Sequence, residues 1–334
     1  MAAELNHIFR LWTAEGEILA EASGRLRHEA AGRHELPAVG DWVAFRPDAS
    51  TALSASPRGR IEAILPRKSA FTRKVAGSET RQQVVAANID TVFLVSSLDR
   101  DFNPRRVERY LLLAAQSGAH PVIVLNKTDL AGPHVDAAVD AIREVAQAAP
   151  IHAISAKTAA GLDTLAPYLG SGETVALLGS SGVGKSSIIN ALAGEDLLRT
   201  RSVRESDSRG RHTSTHRQMV RLPGGALLID TPGMRELQLW DVGETLNQTF
   251  EDIDALAAGC RFRDCRHVSE PGCAVKAAAA SGALPQARYD SFQKLQAERE
   301  AFEVRHDERA LIEEKRRSKI MGKALRARIK EKGR

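Results

Sequence analysis

The segment Gly179-Ser180-Ser181-Gly182-Val183-Gly184-Lys185-Ser186 fits the pattern G-x-x-x-x-G-K-[ST] at every fixed position. It follows an apolar run at 174–178 and opens a segment typical of a helix. Glycines let a loop wrap closely around phosphate, and backbone N–H groups at the start of a helix bind the anion. The segment therefore predicts a phosphate-binding loop, here called the phosphate loop (179–186).

Chemical roles follow from the residue types in and after this loop. We expect Lys185 to reach the β- and γ-phosphates and the Ser186 hydroxyl to ligate Mg²⁺, with Ser187 among the nucleotide contacts. The sequence Asp-Thr-Pro-Gly at 230–233 ends a second apolar run. There Asp230 can hold the Mg²⁺ through water, and Gly233 can offer its N–H to the γ-phosphate.

The regions around the phosphate loop alternate between apolar strands and helices. Predicted strands cover 90–96, 121–126, 151–155, 174–179 and 226–230, and predicted helices cover 105–116, 135–148 and a segment from 185. This alternation is typical of a parallel sheet covered on both faces, and hence of an α/β domain.

Two polar segments stand where predicted strands end. Asn126-Lys127-Thr128-Asp129 resembles the guanine-reading N-K-x-D motif of GTPases, in which Asn126 braces the loop, and Ser155-Ala156-Lys157 resembles the second base-reading loop. Asp129 can accept from guanine N1–H and N2–H₂, and the Ala156 N–H can meet O6. Adenine lacks that pair of donors and would leave the carboxylate unpaired, so an ATPase is disfavoured.

These base-reading segments precede the phosphate loop, whereas ordinary GTPases have the reverse order. A domain can be cut at one loop and rejoined at another when its ends lie close together, which predicts a circular permutation. The segment after Asp230 then leads directly into the cysteine-containing region, a plausible route for coupling nucleotide state to the C-terminal domain.

The polar segment 208–216 is typical of a mobile switch loop. We expect one of its hydroxyls to complete the Mg²⁺ shell, with Thr213 preferred over Ser214 and Thr215. Many GTPases have a water-orienting glutamine after Asp-x-x-Gly, but this chain has Met234 there. His212 is our candidate catalytic residue beside Lys185, since imidazole can accept a proton from water near neutral pH. The alternative is that His212 contacts RNA phosphate or is merely exposed.

All three cysteines of the chain fall in one short stretch, as Cys260, Cys265 and Cys273 with His267 between them. Three thiolates and one imidazole match a closed tetrahedral Cys₃His site, which predicts one structural Zn²⁺. Clustering of every cysteine here disfavours unrelated thiols.

The N-terminal region is typical of a small β-barrel, with strands at 39–45 and 61–65 and a loop at 46–60. Arg67, Lys68, Arg73 and Lys74 form a basic cluster beside it, and the tail from Arg299 is rich in lysine and arginine. Basic segments of this kind can neutralise RNA phosphates, although a solvated or disordered tail is the usual alternative.

Composition sets broad limits on the protein. The 334 residues are 43% apolar with a net charge of +5, and the pI is about 9.2. That length predicts two or three folded domains. Neither a secretory signal nor an apolar run long enough to span a bilayer is visible, so we expect a cytoplasmic protein without a membrane partner.

Together these motifs resemble the RsgA family of circularly permuted GTPases. The resemblance rests on Val39-Gly40-Asp41-Trp42-Val43, the strand entry at 86–90, Asn126-Lys127-Thr128-Asp129, the phosphate loop (179–186), Gly210-Arg211-His212-Thr213, Asp230-Thr231-Pro232-Gly233 and the cysteine cluster. The resemblance implies an OB-fold RNA-binding domain (1–75), a circularly permuted GTPase domain (80–240) and a zinc-binding domain with a basic helical tail (241–334). It further implies that the chain binds the small ribosomal subunit and its rRNA and hydrolyses GTP to GDP late in subunit maturation. We expect a monomer. Ser214 stands where threonine is usual in this family.

Two other functions remain open from the sequence. The first is a GTPase that acts in translation or RNA modification rather than subunit assembly. The second is a zinc-dependent nucleic-acid-binding module in which the nucleotide is only a structural ligand.

Overall fold

The computed structural model describes residues 1–5, 7–51, 57–74, 82–99, 102–146, 148–197, 218–230, 250–286, 288–297 and 300. Its contacts divide the chain into two compact units, Met1–Val75 with Arg81–Gln238 and Ala76–Thr80 with Leu239–Arg334. The first unit contains both the predicted barrel and the predicted nucleotide domain, so the three domain boundaries inferred from the sequence stay predictions.

The strands of the first unit follow the predicted alternation closely. They are β1 (Ala3–Leu5), β2 (Ile8–Thr13), β3 (Gly16–Ala22), β4 (Val43–Pro47), β5 (Arg58–Ile64), β6 (Ala70–Lys74), β7 (Gln82–Ala87), β8 (Thr91–Ser97), β9 (His120–Asn126), β10 (Ile151–Ala153), β11 (Thr174–Leu178), β12 (Gln218–Arg221) and β13 (Leu227–Asp230).

A parallel sheet forms the centre of this unit, in the order β10-β9-β8-β11-β13. Its central strands are the most deeply buried: every residue of β8 and of β11 is buried, whereas β10 at the edge is only partly buried. Such burial is expected where helices cover both faces of a parallel sheet. Phe93, Val124, Leu177 and Leu228 share one buried cluster with Ile188 of the helix after the phosphate loop.

The N-terminal strands extend the same sheet rather than standing apart from it. β12 pairs antiparallel with β13, β1 pairs antiparallel with β12, and β2, β3, β5 and β4 continue the order to the far edge. β6 and β7 form a separate antiparallel pair. An OB-type closure of these strands remains a prediction, but the β-rich character of residues 1–75 is as expected.

Two local predictions in this region were wrong. The strand expected at 39–45 begins only at Val43, and Trp42 before it is 69% exposed. The predicted loop at 46–60 is shorter, because β4 runs to Pro47 and β5 starts at Arg58. In both cases the antiparallel pairing of β4 with β5 decides the strand ends, and local composition does not.

The helices of the first unit are α1 (Gly24–Glu29), α2 (Pro104–Ser117), α3 (Thr128–Ala131), α4 (Val135–Ala146) and α5 (Lys185–Ala193), with short 3₁₀ segments at Arg33–Glu35, Ala49–Thr51, Gly132–His134 and Leu162–Tyr168. The sequence explains the ends of α2. The Asn103 side chain accepts from the Arg105 N–H, Pro104 occupies the first turn, and Gly118 takes the left-handed conformation after the last turn.

In the basic cluster that follows the N-terminal strands, not every charge is exposed to solvent. Arg67 donates from Nε and Nη2 to the two carboxylate oxygens of Asp41, both at 2.8 Å, and also to the carbonyls of His34 and Leu36. The Asp41 side chain is fully buried. Arg67 is therefore a structural residue, which corrects its assignment to an RNA-binding cluster, whereas the Lys68 side chain is 81% exposed.

The described part of the second unit contains α6 (Glu251–Ala257), a loop with the cysteine cluster, and α7 (Ala274–Ser281), followed by helical residues at 288–297. The basic tail beyond residue 300 lies outside the described residues. Nowhere in the described chain is there a helix with the length and apolar character needed to cross a membrane.

Candidate functional site

The phosphate loop lies between β11 and α5, where its sequence places it. Gly179 admits no side chain, because a Cβ there would lie 2.4 Å from the Val95 carbonyl oxygen. Gly184 has a φ of +97°, and a Cβ on it would lie 2.3 Å from Asn126 Nδ2. The glycines of the motif thus permit both a left-handed backbone and the close approach of neighbouring strand ends.

The start of α5 offers hydrogen-bond donors to an anion. The helix begins at Lys185 directly after Gly184, and no side chain caps its first turn. The first N–H groups of a helix have no partner inside the helix, and the positive end of the helix dipole favours a negative ligand there. Lys185 Nζ donates to the carbonyls of Gly179 (2.8 Å) and Ser180 (2.7 Å). The Lys185 ammonium therefore lies within the phosphate loop, where it is predicted to contact the β- and γ-phosphates.

The side chain of Asn126, at the end of β9, links three loops by hydrogen bonds: its own loop, the phosphate loop and the second base-reading loop. Its Nδ2 donates to the Val183 carbonyl in the phosphate loop at 2.9 Å, and its Oδ1 accepts from the Ala156 N–H at 3.0 Å. The side chain is buried, so both bonds are made away from solvent. The structure thereby brings together the three segments that the sequence predicts to meet.

Lys127 adjoins the same loop from the next position. It takes a left-handed backbone with φ of +67°, and Nζ donates to the Gly182 carbonyl at 2.5 Å. The same ammonium contacts Asp99 Oδ2 at 2.7 Å, and Asp99 accepts in turn from the Ser97 hydroxyl. The sequence analysis did not predict Asp99 as a site residue. Like Asn126, however, it is a polar residue close to the end of a buried strand, and that position could have indicated it.

Asp129 and Ser155 meet at the edge of this region. The Ser155 hydroxyl donates to Asp129 Oδ1 at 2.7 Å and accepts from the Thr158 N–H. Ser155 is fully buried, whereas Asp129 and Lys157 are exposed. One carboxylate oxygen is thus fixed by a buried hydroxyl, which orients an accessible acid that can accept from a pair of donors on a ligand.

A cavity of about 450 Å³ opens between the second base-reading loop and α5. Ala156 lies on one side of it, and Ser187, Asn190 and Asp196 lie on the other. Asn190 Nδ2 donates to Asp196 Oδ1 at 3.3 Å. This cavity therefore adjoins both the second base-reading loop and the helix that follows the phosphate loop.

Several predicted site residues lie outside the described residues. These are His212, Thr213 with its alternatives Ser214 and Thr215, and Gly233. Asp230 is described only in its backbone, as the last residue of β13, paired with Gln218. Asp230 lies at the carboxyl end of a strand that pairs with β11, the strand before the phosphate loop. The predicted role of Asp230 in holding Mg²⁺ requires such a position.

The cysteine cluster converges as the sequence predicts. The ligand atoms of Cys260, Cys265, His267 and Cys273 all lie within 4.8 Å of one another. The two sulfurs of Cys260 and Cys273 are 3.9 Å apart, and His267 Nδ1 lies 3.6 Å and 3.4 Å from them. A tetrahedral zinc with arms of about 2.0 Å to nitrogen and 2.3 Å to sulfur spaces its ligands by about 3.5 to 3.8 Å. This group could therefore hold Zn²⁺.

The surroundings shift the pKa values of two of the thiols in opposite directions. Desolvation raises the pKa of Cys260, but N–H groups of Val275 and Ala274 at the start of α7 outweigh it, so the pKa is lowered. The pKa of Cys265 rises to about 11, chiefly through desolvation and further through the neighbouring thiols. Since a metal binds the deprotonated thiol, these crowded thiols would lose their protons when the metal enters.

Glu270 shapes the loop that carries His267. Its carboxylate accepts from the backbone N–H groups of Arg266, Val268 and Ser269 at 2.9 to 3.0 Å. The backbone N–H of Glu270 itself and these three hydrogen bonds together lower the pKa of Glu270 to about 2. Tyr289 and Gln293 both donate to the His267 carbonyl, which holds the left-handed backbone of that residue in place.

Comparison with known proteins identifies the family. A family model described as RsgA GTPase matches residues 64–240. A protein of Opitutus terrae named small ribosomal subunit biogenesis GTPase RsgA is 49% identical over 339 residues, covering 100% of this chain and 92% of that protein. A protein of the same name from Xanthomonas oryzae pv. oryzae is 47% identical over 86% of this chain and 76% of that protein.

Solved structures agree with the permuted fold. YjeQ from Thermotoga maritima has a TM-score of 0.64 and 29% identity, covering 88% of this chain and 95% of that chain. YloQ, described as a circularly permuted GTPase, has a TM-score of 0.59 and 24% identity, covering 89% of this chain and 93% of that chain, and it supports the fold alone. The predicted order of base-reading segments before the phosphate loop is thus confirmed as a circularly permuted GTPase fold.

The approach of Asn126 to Gly184 gives a direct test of this geometry. We expect Gly184→Ala to weaken binding of a fluorescent GDP analogue at least about tenfold, because the new Cβ displaces the amide that joins the loops. Gly172→Ala is the matched control: its φ is +87°, but a Cβ there meets nothing within 4 Å. The control should lose only about 1 kcal/mol of stability. Equal loss of affinity in both variants would contradict the role given to Asn126.

Proposed function

Since the chain belongs to the RsgA GTPase family, we propose that its hydrolysis of GTP serves the biogenesis of the small ribosomal subunit. The proposal is supported by relatives named for that process, one of which matches over 100% of this chain at 49% identity. We further propose that the protein acts in the cytoplasm as a monomer and contacts the rRNA of the subunit through exposed basic residues such as Lys68.

We assign the nucleotide to the cleft between the base-reading loops and α5. The proposed contacts are Asn126, Lys127, Thr128, Asp129, Ser155, Ala156, Lys157, Gly179, Ser180, Ser181, Gly182, Val183, Gly184, Lys185, Ser186, Ser187 and Gly233. We base the proposed selectivity for guanine on one observation: the buried Ser155 hydroxyl donates to the carboxylate of the exposed Asp129 and so fixes its orientation. An acid held in this way binds adjacent N–H donors of guanine without reorganising first.

The phosphate end of the site has a different chemistry. Lys185 and the N–H groups at the start of α5 bind and orient the β- and γ-phosphates. Mg²⁺, which GTPases generally require, would be held by Ser186, Thr213 and Asp230 and would supply positive charge to the phosphate oxygens. His212 is our proposed acceptor of a proton from the attacking water, because Met234 cannot orient that water.

Asp129→Asn tests the assignment of the base end. We expect affinity for GTP to fall about 100-fold, because two charge-assisted hydrogen bonds to guanine are lost. Affinity for xanthosine triphosphate should rise, because the asparagine amide can donate to the second carbonyl of xanthine. Isothermal titration with both nucleotides measures the change, and the exposed Asp136→Asn on α4 is the control. An unchanged preference would remove the base assignment.

We also propose that Cys260, Cys265, His267 and Cys273 hold one structural Zn²⁺. Elemental analysis of protein purified without chelator should find one zinc per chain. Cys260→Ser should lose the metal and make the second unit sensitive to protease, because binding of the metal contributes to folding. Ser269→Ala in the same loop is the control and should keep the zinc. A chain that binds no zinc, or whose second unit is unchanged by chelation, would refute the proposal.

The ribosomal role is tested by GTP hydrolysis with and without purified small subunits. We expect at least about tenfold stimulation of kcat, a modest effect for a partner that completes a GTPase site. Large subunits are the control partner, and Lys185→Ala should abolish activity in both arms. A site that hydrolyses GTP but does not respond to small subunits would remove the ribosomal proposal and leave the GTPase intact.

A further inference from the structure

A side chain from outside the nucleotide motifs contacts the phosphate loop. Arg106 on α2 donates from Nη1 to the Ser180 hydroxyl at 2.5 Å, and the Tyr110 hydroxyl lies 3.5 Å from the same oxygen. Residues four apart on a helix lie on one face, so Arg106 and Tyr110 approach Ser180 together. The contact joins positions 74 residues apart in the chain.

Ser180 is also an acceptor for the lysine of the phosphate loop. Its carbonyl oxygen accepts from Lys185 Nζ at 2.7 Å, while its hydroxyl accepts from Arg106. The residue therefore holds the guanidinium with its side chain and the ammonium with its backbone. A shift of Ser180 changes the position of a carbonyl that locates Lys185, so Arg106 can act on the lysine through this one residue.

α2 is anchored by the side chains that it buries. Val107 and Leu112 are fully buried, and Leu111 is nearly so. The helix ends at Ser117, and the N–H of Gly118 after it donates to the Ala115 carbonyl. A helix of fourteen residues fixed in this way gives Arg106 a rigid base, unlike a side chain on a loop.

We propose that Arg106 is a positioning residue for GTP hydrolysis, which fixes Ser180 and through it the phosphate loop around Lys185. The contact is with the loop, so its effect falls on the rate of the chemical step and little on nucleotide affinity. A displacement of about 1 Å in groups that orient reacting atoms costs up to about 100-fold in rate.

The test compares variants in intrinsic hydrolysis, without ribosomal subunits, so that its outcome is independent of the ribosomal proposal. Arg106→Ala and Ser180→Ala should each lower kcat about fivefold to tenfold while KM for GTP changes less than about twofold. The double variant should be no worse than either single variant, because both remove one contact. Arg106→Lys should recover part of the rate, since an ammonium can still donate to the hydroxyl.

Arg143→Ala is the matched control, because Arg143 is an exposed arginine on α4 that pairs with Asp140. It should leave kcat unchanged, and thermal melting of all variants should show that they are folded. Additive losses in the double variant, or a Ser180→Ala enzyme with normal kcat, would overturn the proposal. If Arg106→Ala alone is slow and Ser180→Ala is normal, the arginine acts without the loop, which also overturns it.

Discussion

The nucleotide site depends on the carboxamide of Asn126. One buried amide uses its nitrogen for the phosphate loop and its oxygen for the second base-reading loop, so three strand ends are held by two hydrogen bonds. Loss of the amide would leave the Val183 carbonyl and the Ala156 N–H without these partners, and an unsatisfied buried group costs about 1 to 3 kcal/mol. The loops of the site are therefore held together by side-chain hydrogen bonds. They do not need to be neighbours in the sequence.

This explains why a permuted order of motifs is physically acceptable. β8, β9, β10, β11 and β13 are parallel, so their carboxyl ends lie at one edge of the sheet whatever their order in the chain. Ser97 and Asn126 are even partners in register across β8 and β9. The arrangement of loops at that edge follows from strand order in space, and strand order in the sequence changes only which loops are connected covalently.

The sequence was sufficient for the elements and motifs but not for their partners. Buried strands such as β8 and β11 are local apolar runs, and the phosphate loop is a local pattern, so both were predicted correctly. Burial of Arg67 against Asp41 joins residues 26 positions apart, and only packing of the N-terminal β-rich region brings them together. The pairing of β1 with β12, which makes one continuous sheet, is likewise a long-range event without a local signal.

The phosphate loop and the cysteine cluster differ in how far contacts within the chain fix their side chains. In the phosphate loop, Lys185 Nζ donates to the carbonyls of Gly179 and Ser180, so contacts within the loop itself fix the position of the ammonium. In the cysteine cluster, desolvation and the neighbouring thiols raise the pKa of Cys265 to about 11, so this thiol keeps its proton more strongly than an ordinary cysteine. The proposed Zn²⁺ would therefore have to displace the proton of Cys265, whereas the position of Lys185 is already set by hydrogen bonds within its own loop.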